Sequence, residues 1–219
     1  EQNGKPSTQQ SEAADSTSSL PVLGLEELDL KNVNVRYADL TLKTYLTVDL
    51  KEVYLDMNSM DLAARKVDID NIELKHSFIT YNFYQPELRV TAQPAPAEPF
   101  TGLNIPWDVR VRDVNLEDNS VQYYNSALPV EKGALDFNHL WIFGLQCQVN
   151  NAMVSGNTLE VDVENLSFQE KSDFSLQQLI ADFKLTENTL AIDKFLIQSG
   201  SSRLELAGDA TFASLGAKD

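Results

Sequence analysis

An eight-residue pattern recurs seven times in this chain: apolar-x-apolar, two polar residues, then apolar-x-apolar. It begins as Leu28-Asp-Leu-Lys-Asn-Val-Asn-Val35 and returns over Val48–Leu55, Val67–Leu74, Val109–Leu116, Leu135–Ile142, Val161–Phe168 and Leu190–Ile197. Apolar residues two apart share one face of a strand. Across the polar pair the spacing becomes three, which would send the second half of a straight strand to the opposite face. One extra residue, a β-bulge, brings all four apolar residues back to one face and bends the strand. A two-residue hairpin at the polar pair is the competing reading. Such turns favour Asn-Gly or Asp-Gly, and no copy has glycine there. Ordinary half-buried strands explain the alternation but not the same interruption in every copy. Self-similarity at such intervals marks a repeat architecture. The unit therefore predicts a mainly β chain of repeated long, bent strands, each with a single apolar face, and few or no helices.

The copies divide the chain. Residues 1–19 are rich in Ser and Gln and hold no hydrophobic side chain larger than Ala, so they read as a disordered linker. Residues 20–91 form a first β-repeat block. Pro94, Pro96 and Pro99 make 92–104 a stiff connector, and 105–219 form a second block. Val67–Tyr84 aligns over Val109–Ser126 without a gap, which predicts a duplicated block. Leu40, Leu42 and the Tyr45 region read as further short strands, Asn58-Ser59 as a turn, and Ser155-Gly156-Asn157 and Ser199-Gly200-Ser201 as hairpin turns. Residues 172–185 fit either a helix capped by Ser172 or Asp173, or a bulged strand. Consistency with the rest favours the strand.

Charge narrows the function. Seventeen basic residues against 33 acidic ones leave −16. No basic footprint exists for nucleic acid or for an anionic membrane face. The single cysteine, Cys147, excludes an intramolecular disulfide and a multi-cysteine zinc site. Its setting, Leu145-Gln-Cys-Gln-Val149, reads as a buried small apolar side chain. No apolar run reaches the roughly 20 residues of a membrane helix, and no secretory signal is present. The chain reads as a segment of something longer, with any membrane anchor elsewhere.

The familiar catalytic, phosphate-binding and calcium-binding motifs are missing from the sequence. His76 and His139 read as solvated or hydrogen-bonded strand residues rather than ligands, and the scattered carboxylates as a solvated sheet face. An enzyme is not expected, nor a cofactor or resident metal. The aromatic set Tyr37, Tyr45, Tyr54, Tyr81, Phe83, Tyr84, Tyr123 and Tyr124 could stack against carbohydrate; good strand-forming propensity accounts for it as well.

The run from Leu25 to Tyr84, the stretch Pro106-Trp-Asp-Val-Arg-Val-Arg-Asp-Val-Asn-Leu116, and the tail from Leu166 through Leu196-Ile-Gln-Ser-Gly-Ser-Ser-Arg-Leu-Glu-Leu206 resemble the repeats of the TamB family of Bacteroidota. The tail is also similar to the wider AsmA-like proteins. The resemblance spans about residues 20–212 and rests on patterned apolar residues. It implies a periplasmic segment of a parent chain anchored in the inner membrane. It further implies an elongated, curved, mostly antiparallel sheet, groove- or taco-like, whose apolar groove takes phospholipid acyl chains, and docking on an outer-membrane barrel of the TamA/BamA kind through parts not in this sequence. The implied role is phospholipid transport to the outer membrane, outer-membrane protein assembly, or both. Candidate groove residues are Leu28, Leu30, Val33, Val35, Val67, Ile69, Val109, Val111, Val161 and Val163. The sequence leaves open whether this face is an open groove or a closed core. Two other readings stand beside it: an extracytoplasmic β-sandwich that binds glycan or protein, and a structural spacer without ligand.

Overall fold

The computed structural model describes residues 24–86, 105–131 and 135–211. The linker read over 1–19 and the proline-rich connector at 92–104 lie outside them. Ten strands and no helix make up the described residues: β1 Glu27–Asp39, β2 Thr44–Asp61, β3 Lys66–Lys75, β4 Phe78–Phe83, β5 Ile105–Asn125, β6 His139–Gly156, β7 Thr158–Glu170, β8 Ser175–Leu185, β9 Thr189–Ser199 and β10 Ser202–Thr211. They form one elongated sheet in the order β1-β2-β3-β5-β6-β7-β8-β9-β10, with β4 continuing β3 between β2 and β5. All pairs are antiparallel except β3 and β4 with β5, which are parallel.

That parallel seam joins the two repeat blocks. Lys66 pairs with Asp108, Val67 with Val109, and so on to Phe83 with Asn125, always at an offset of 42 positions. The gapless alignment of the two segments in sequence is therefore also their register in the sheet.

Strand β8 tests the bulge reading. Its residues Leu179, Ala181, Phe183 and Leu185 alternate without interruption and so lie on one face. They pair in turn with Leu166, Val163, Val161 and Leu159 of β7, where the spacing has a step of three. They also pair with Ile197, Phe195, Ile192 and Leu190 of β9, again with a step of three. The extra residue in the polar pair thus restores the face, and Glu164 and Asp193 are left outside the pairing.

The bulges align across the sheet on two lines. One passes through Asp70, Arg112, Asn150, Glu164 and Asp193. The other passes through Asn32, Lys51, His76, Asp118 and Gly144. On the second line Asn32 (φ 56°), His76 (φ 52°) and Asp118 (φ 47°) adopt the left-handed conformation, which Asn, Asp and His tolerate best among residues with a Cβ. Strands bend at bulges, so two aligned rows of them curve the whole sheet.

Several local expectations change. Of residues 172–185, Ser175–Leu185 are strand, as favoured, and 172–174 lie in the turn before it. Leu40 and Leu42 lie in the β1–β2 turn, where the Asp39 carboxylate accepts the N–H groups of Thr41 and Leu42 at 2.9 Å in place of a ladder. Asn58 and Ser59 stay within β2, and the turn comes later, where Asp61 accepts the Ala64 N–H at 2.8 Å. The copy at 135–142 is not a bent strand. Asp136 accepts the Glu131 and Asn138 N–H groups at 2.8 and 3.0 Å and fixes a turn, which leaves Phe137 71% exposed.

Candidate functional site: an open apolar face

Because the unit reads alike in both directions, apolar pairs with apolar whether neighbours are parallel or antiparallel. Continuous apolar rows result, running across the strands. One row is Leu30, Val53, Leu74, Leu116, Cys147, Leu166, Leu179, Ile197 and Leu204, a member from each strand of the main path. A second runs from Leu28 through Leu55, Ile72 and Val114 to Leu206. A third begins at Met57-Ile69-Val111 and a fourth at Met60-Val67-Val109. At about 4.8 Å per strand, nine strands span about 38 Å. That exceeds one acyl chain, about 15 Å or half a bilayer core.

Nothing among the described residues covers this face. No strand pairs outside the ladder, so the sheet does not close into a barrel, and of the row residues only Met57 and Ala181 are buried, where a sandwich core would bury most of them. The outer edges of β1 and β10 are unpaired there as well. Nine of the ten groove candidates are half-buried, and Val35 is 48% exposed. Leu28 and Val163 fall on the second row, Leu30 on the first, Ile69, Val111 and Val161 on the third, and Val67 and Val109 on the fourth. Val33 and Val35 extend the face beyond the first row, opposite Leu50 and Val48. The groove candidates left out the members on β8, such as Phe183, although the bulged-strand reading of 172–185 sets them on one apolar face. They also left out Met57 and Met60, whose step of three lies outside any copy of the unit.

At one end the face becomes aromatic. Tyr81 and Tyr123 pair across the parallel seam with rings 6.0 Å apart, and Phe83 packs at 5.4 and 4.9 Å from them. The aromatic set does not form a single platform: Tyr45 and Tyr124 alternate with Leu46 and Tyr123 and so occupy the opposite face. Cys147 sits half-buried in the first row, where burial pushes its thiol pKa up and disfavours the reactive thiolate.

The polar groups that sequence reasoning overlooked hold the irregular places. Asn119 is 2% exposed; its Oδ1 accepts the Ser77 N–H at 2.9 Å and its Nδ2 donates to the Leu74 carbonyl at 2.7 Å. Asn125 does the same for the N–H and carbonyl of Gln85, at 3.0 and 2.8 Å. The buried His139 places Nδ1 2.7 Å from Asp136 Oδ2 and Nε2 2.9 Å from the Asn125 carbonyl. This resembles a catalytic Asp-His pair, but both ring nitrogens are already engaged, so no nitrogen is free to accept a proton from a nucleophile. His76 is exposed, with Nδ1 3.4 Å from Asp118 Oδ2. Beside His139 lies an open cavity of about 440 Å³, lined by Tyr124, Trp141, Glu131 and Lys171 among others. No group of three or more His, Cys, Asp or Glu side chains suited to a metal occurs among the described residues.

Two buried carboxylates tie this end to solvent pH. Burial pushes Asp136 up, but donors from Glu131, His139 and Asn138 outweigh it and hold the carboxyl below the usual range. Burial likewise raises Glu170, and bonds from the Ser172 hydroxyl and N–H and the Trp141 N–H more than offset it. A carboxylate whose folded pKa is depressed stabilises the fold above its unfolded value, about 3.9 for Asp and 4.3 for Glu, and loses that contribution as pH falls through the folded value. Urea midpoints should therefore drop steeply below about pH 4. An Asp136→Asn, Glu170→Gln variant should be less stable at neutral pH and show a flatter acid limb.

No helix of the described residues is long and apolar enough to cross a membrane. No family model, curated protein or solved structure matches the chain.

Proposed function

We propose that this chain is a stretch of a TamB/AsmA-like envelope-biogenesis protein, set in the periplasm within a parent anchored to the inner membrane. Its apolar face carries phospholipid acyl chains toward the outer membrane, serves outer-membrane protein assembly, or both, without catalysis. The observation that carries the reading is the four apolar rows on a face that no second layer covers among the described residues. An exposed face of this kind normally finds a partner, and hydrocarbon suits it because the rows offer no polar side chain beyond the weakly hydrogen-bonding Cys147 thiol. Each CH₂ buried contributes about 0.8 kcal/mol. A face open on one side removes only part of a chain from water, so binding at each point is weak and reversible. Uniform rows then let an acyl chain move along without a deep well. An outer-membrane barrel of the TamA/BamA kind remains the partner that the resemblance implies.

The test is native mass spectrometry and solvent extraction of protein expressed in a bacterial envelope. The expected result is discrete phospholipid adducts. They should be lost in the Val67→Asp, Ile69→Asp pair and in the Val109→Asp, Val111→Asp pair, which interrupt the third and fourth rows mid-sheet. A wild-type protein that is folded by circular dichroism yet free of lipid would overturn the conduit reading. A glycan- or protein-binding module would then stand first, supported by the stacked Tyr81 and Tyr123 rings.

A further inference from the structure

We infer that the edge of β1 left unpaired among the described residues is a dimerisation surface, and that its occupant is the β1 of a second copy of this chain, antiparallel across a two-fold axis. The inference is independent of what the apolar face binds. β1 is a 13-residue edge strand without proline, and an unprotected edge of this length is a template for another strand. The Glu26 carbonyl accepts the Met57 N–H at 2.7 Å. By the alternation of an antiparallel ladder, Glu27 and Asp29 then aim their own N–H and carbonyl groups away from β2, toward the free side. The extra residue at Lys31-Asn32 shifts the alternation, so Asn34 and Arg36 face the free side too.

The strand is complementary to itself about that bulge. Turned through the two-fold axis, Leu28 faces the second copy's Val35 and Leu30 its Val33, so apolar meets apolar on one face. The bulges coincide at Lys31 and Asn32. On the polar face Glu27 meets Arg36 of the second copy, twice by symmetry, and Asp29 meets Asn34. Glu27 and Arg36 are exposed, and neither has an ion-pair partner among the described residues.

The other edge gives the opposite result. Setting β10 head-to-tail against β1 of another copy, with the rows kept continuous, puts Leu204 beside Leu30 and Leu206 beside Leu28. It then sets Glu205 opposite Asp29 and Arg203 opposite Lys31, two like-charge pairs. A two-fold pairing of β10 with itself, centred between Leu206 and Gly208, sets Glu205 opposite Asp209 twice. Like charges directly opposite destabilise a ladder. In these registers charge admits the closed dimer at β1 and opposes filaments that carry the rows on through β10, the closed arrangement being the isologous kind.

Analytical ultracentrifugation of the whole chain across the micromolar range tests this. The expected result is a monomer–dimer equilibrium that weakens with added salt. Arg36→Glu, which turns two attractive pairs into repulsive ones, should raise the dimer dissociation constant about tenfold or more. The Glu27→Arg, Arg36→Glu exchange should restore it, and Arg203→Glu should leave it unchanged. A monomer throughout, as when the chain's own residues before β1 occupy the edge, overturns the proposal. So does a dimer indifferent to Arg36→Glu, or an open-ended series sensitive to Arg203→Glu.

Discussion

Replacing Asn119 with alanine should lower stability by about 2–4 kcal/mol and shift the urea midpoint by roughly 1 M. The side chain fills a gap in the ladder. His76 is left-handed and β3 gives way to β4 there, so the regular bonds between β3–β4 and β5 fail for one step. The Asn119 amide supplies both a donor and an acceptor, as a peptide group would. It satisfies the Ser77 N–H and the Leu74 carbonyl together. Alanine leaves both without partners in a site too tight for water to enter freely, and each buried orphan costs about 1–3 kcal/mol. Ser77 adds to the coupling, since its hydroxyl accepts the Lys51 N–H at 3.1 Å on the far side. Hydrogen exchange should therefore quicken at the Ser77 amide first. A change within about 0.5 kcal/mol would mean that the backbone closes the gap unaided. Asn125→Ala should show the same behaviour at Gln85, with a smaller effect because that site lies at the sheet's end.

The repeat unit made the β class, the bent strands and the apolar face legible in the sequence. The reason is physical: a half-buried strand needs its apolar residues on one side, and that demand is written directly as spacing. The duplicated segments carried even the register, because copies in parallel neighbours must match residue for residue. Other parts left no such trace. Leu135–Ile142 has the right spacing, but the Asp136 carboxylate accepts backbone N–H groups two and five residues away, and that local chemistry overrides alternation. Asn119 and Glu170 look like any polar strand residues, since what they do depends on which backbone groups the neighbouring strands leave unpaired. Openness of the face was not legible either. The same pattern serves a sandwich core, and the difference lies in whether distant strands meet. Tyr124 and Tyr123 are adjacent in sequence yet divide between the two faces, so composition alone overstated the aromatic platform.

Two single-residue deletions, on facing strands, should have opposite outcomes. Glu164 stands outside the pairing of β7 with both neighbours and its side chain is exposed, so Glu164→Ala should stay within about 0.5 kcal/mol. Deleting the residue removes the bulge. Val163 and Leu166 would then be two apart, the spacing that shares a face in a regular strand. Leu166 would keep its place between Cys147 and Leu179, and Val163 its place between Val149 and Ala181. The rows stay intact and only the local bend is lost, so this variant should keep its cooperative unfolding transition. Deleting Asp182 from β8 does the reverse. Ala181 and Phe183 alternate there without a bulge, opposite Val163 and Val161. Made adjacent, they must point to opposite faces, so either Phe183 and Leu185 or Leu179 and Ala181 leave the rows. Full burial of a leucine or phenylalanine is worth about 1.5–3 kcal/mol. Two side chains turned out and their polar neighbours turned in sum to about 3–5 kcal/mol, close to the whole stability of a marginal domain. The Asp182 deletion should therefore lose the cooperative transition that the Glu164 deletion keeps. If the Glu164 deletion loses it as well, the extra backbone residue is not a bulge that holds its neighbours to one face, and the same account of the other copies would fail with it.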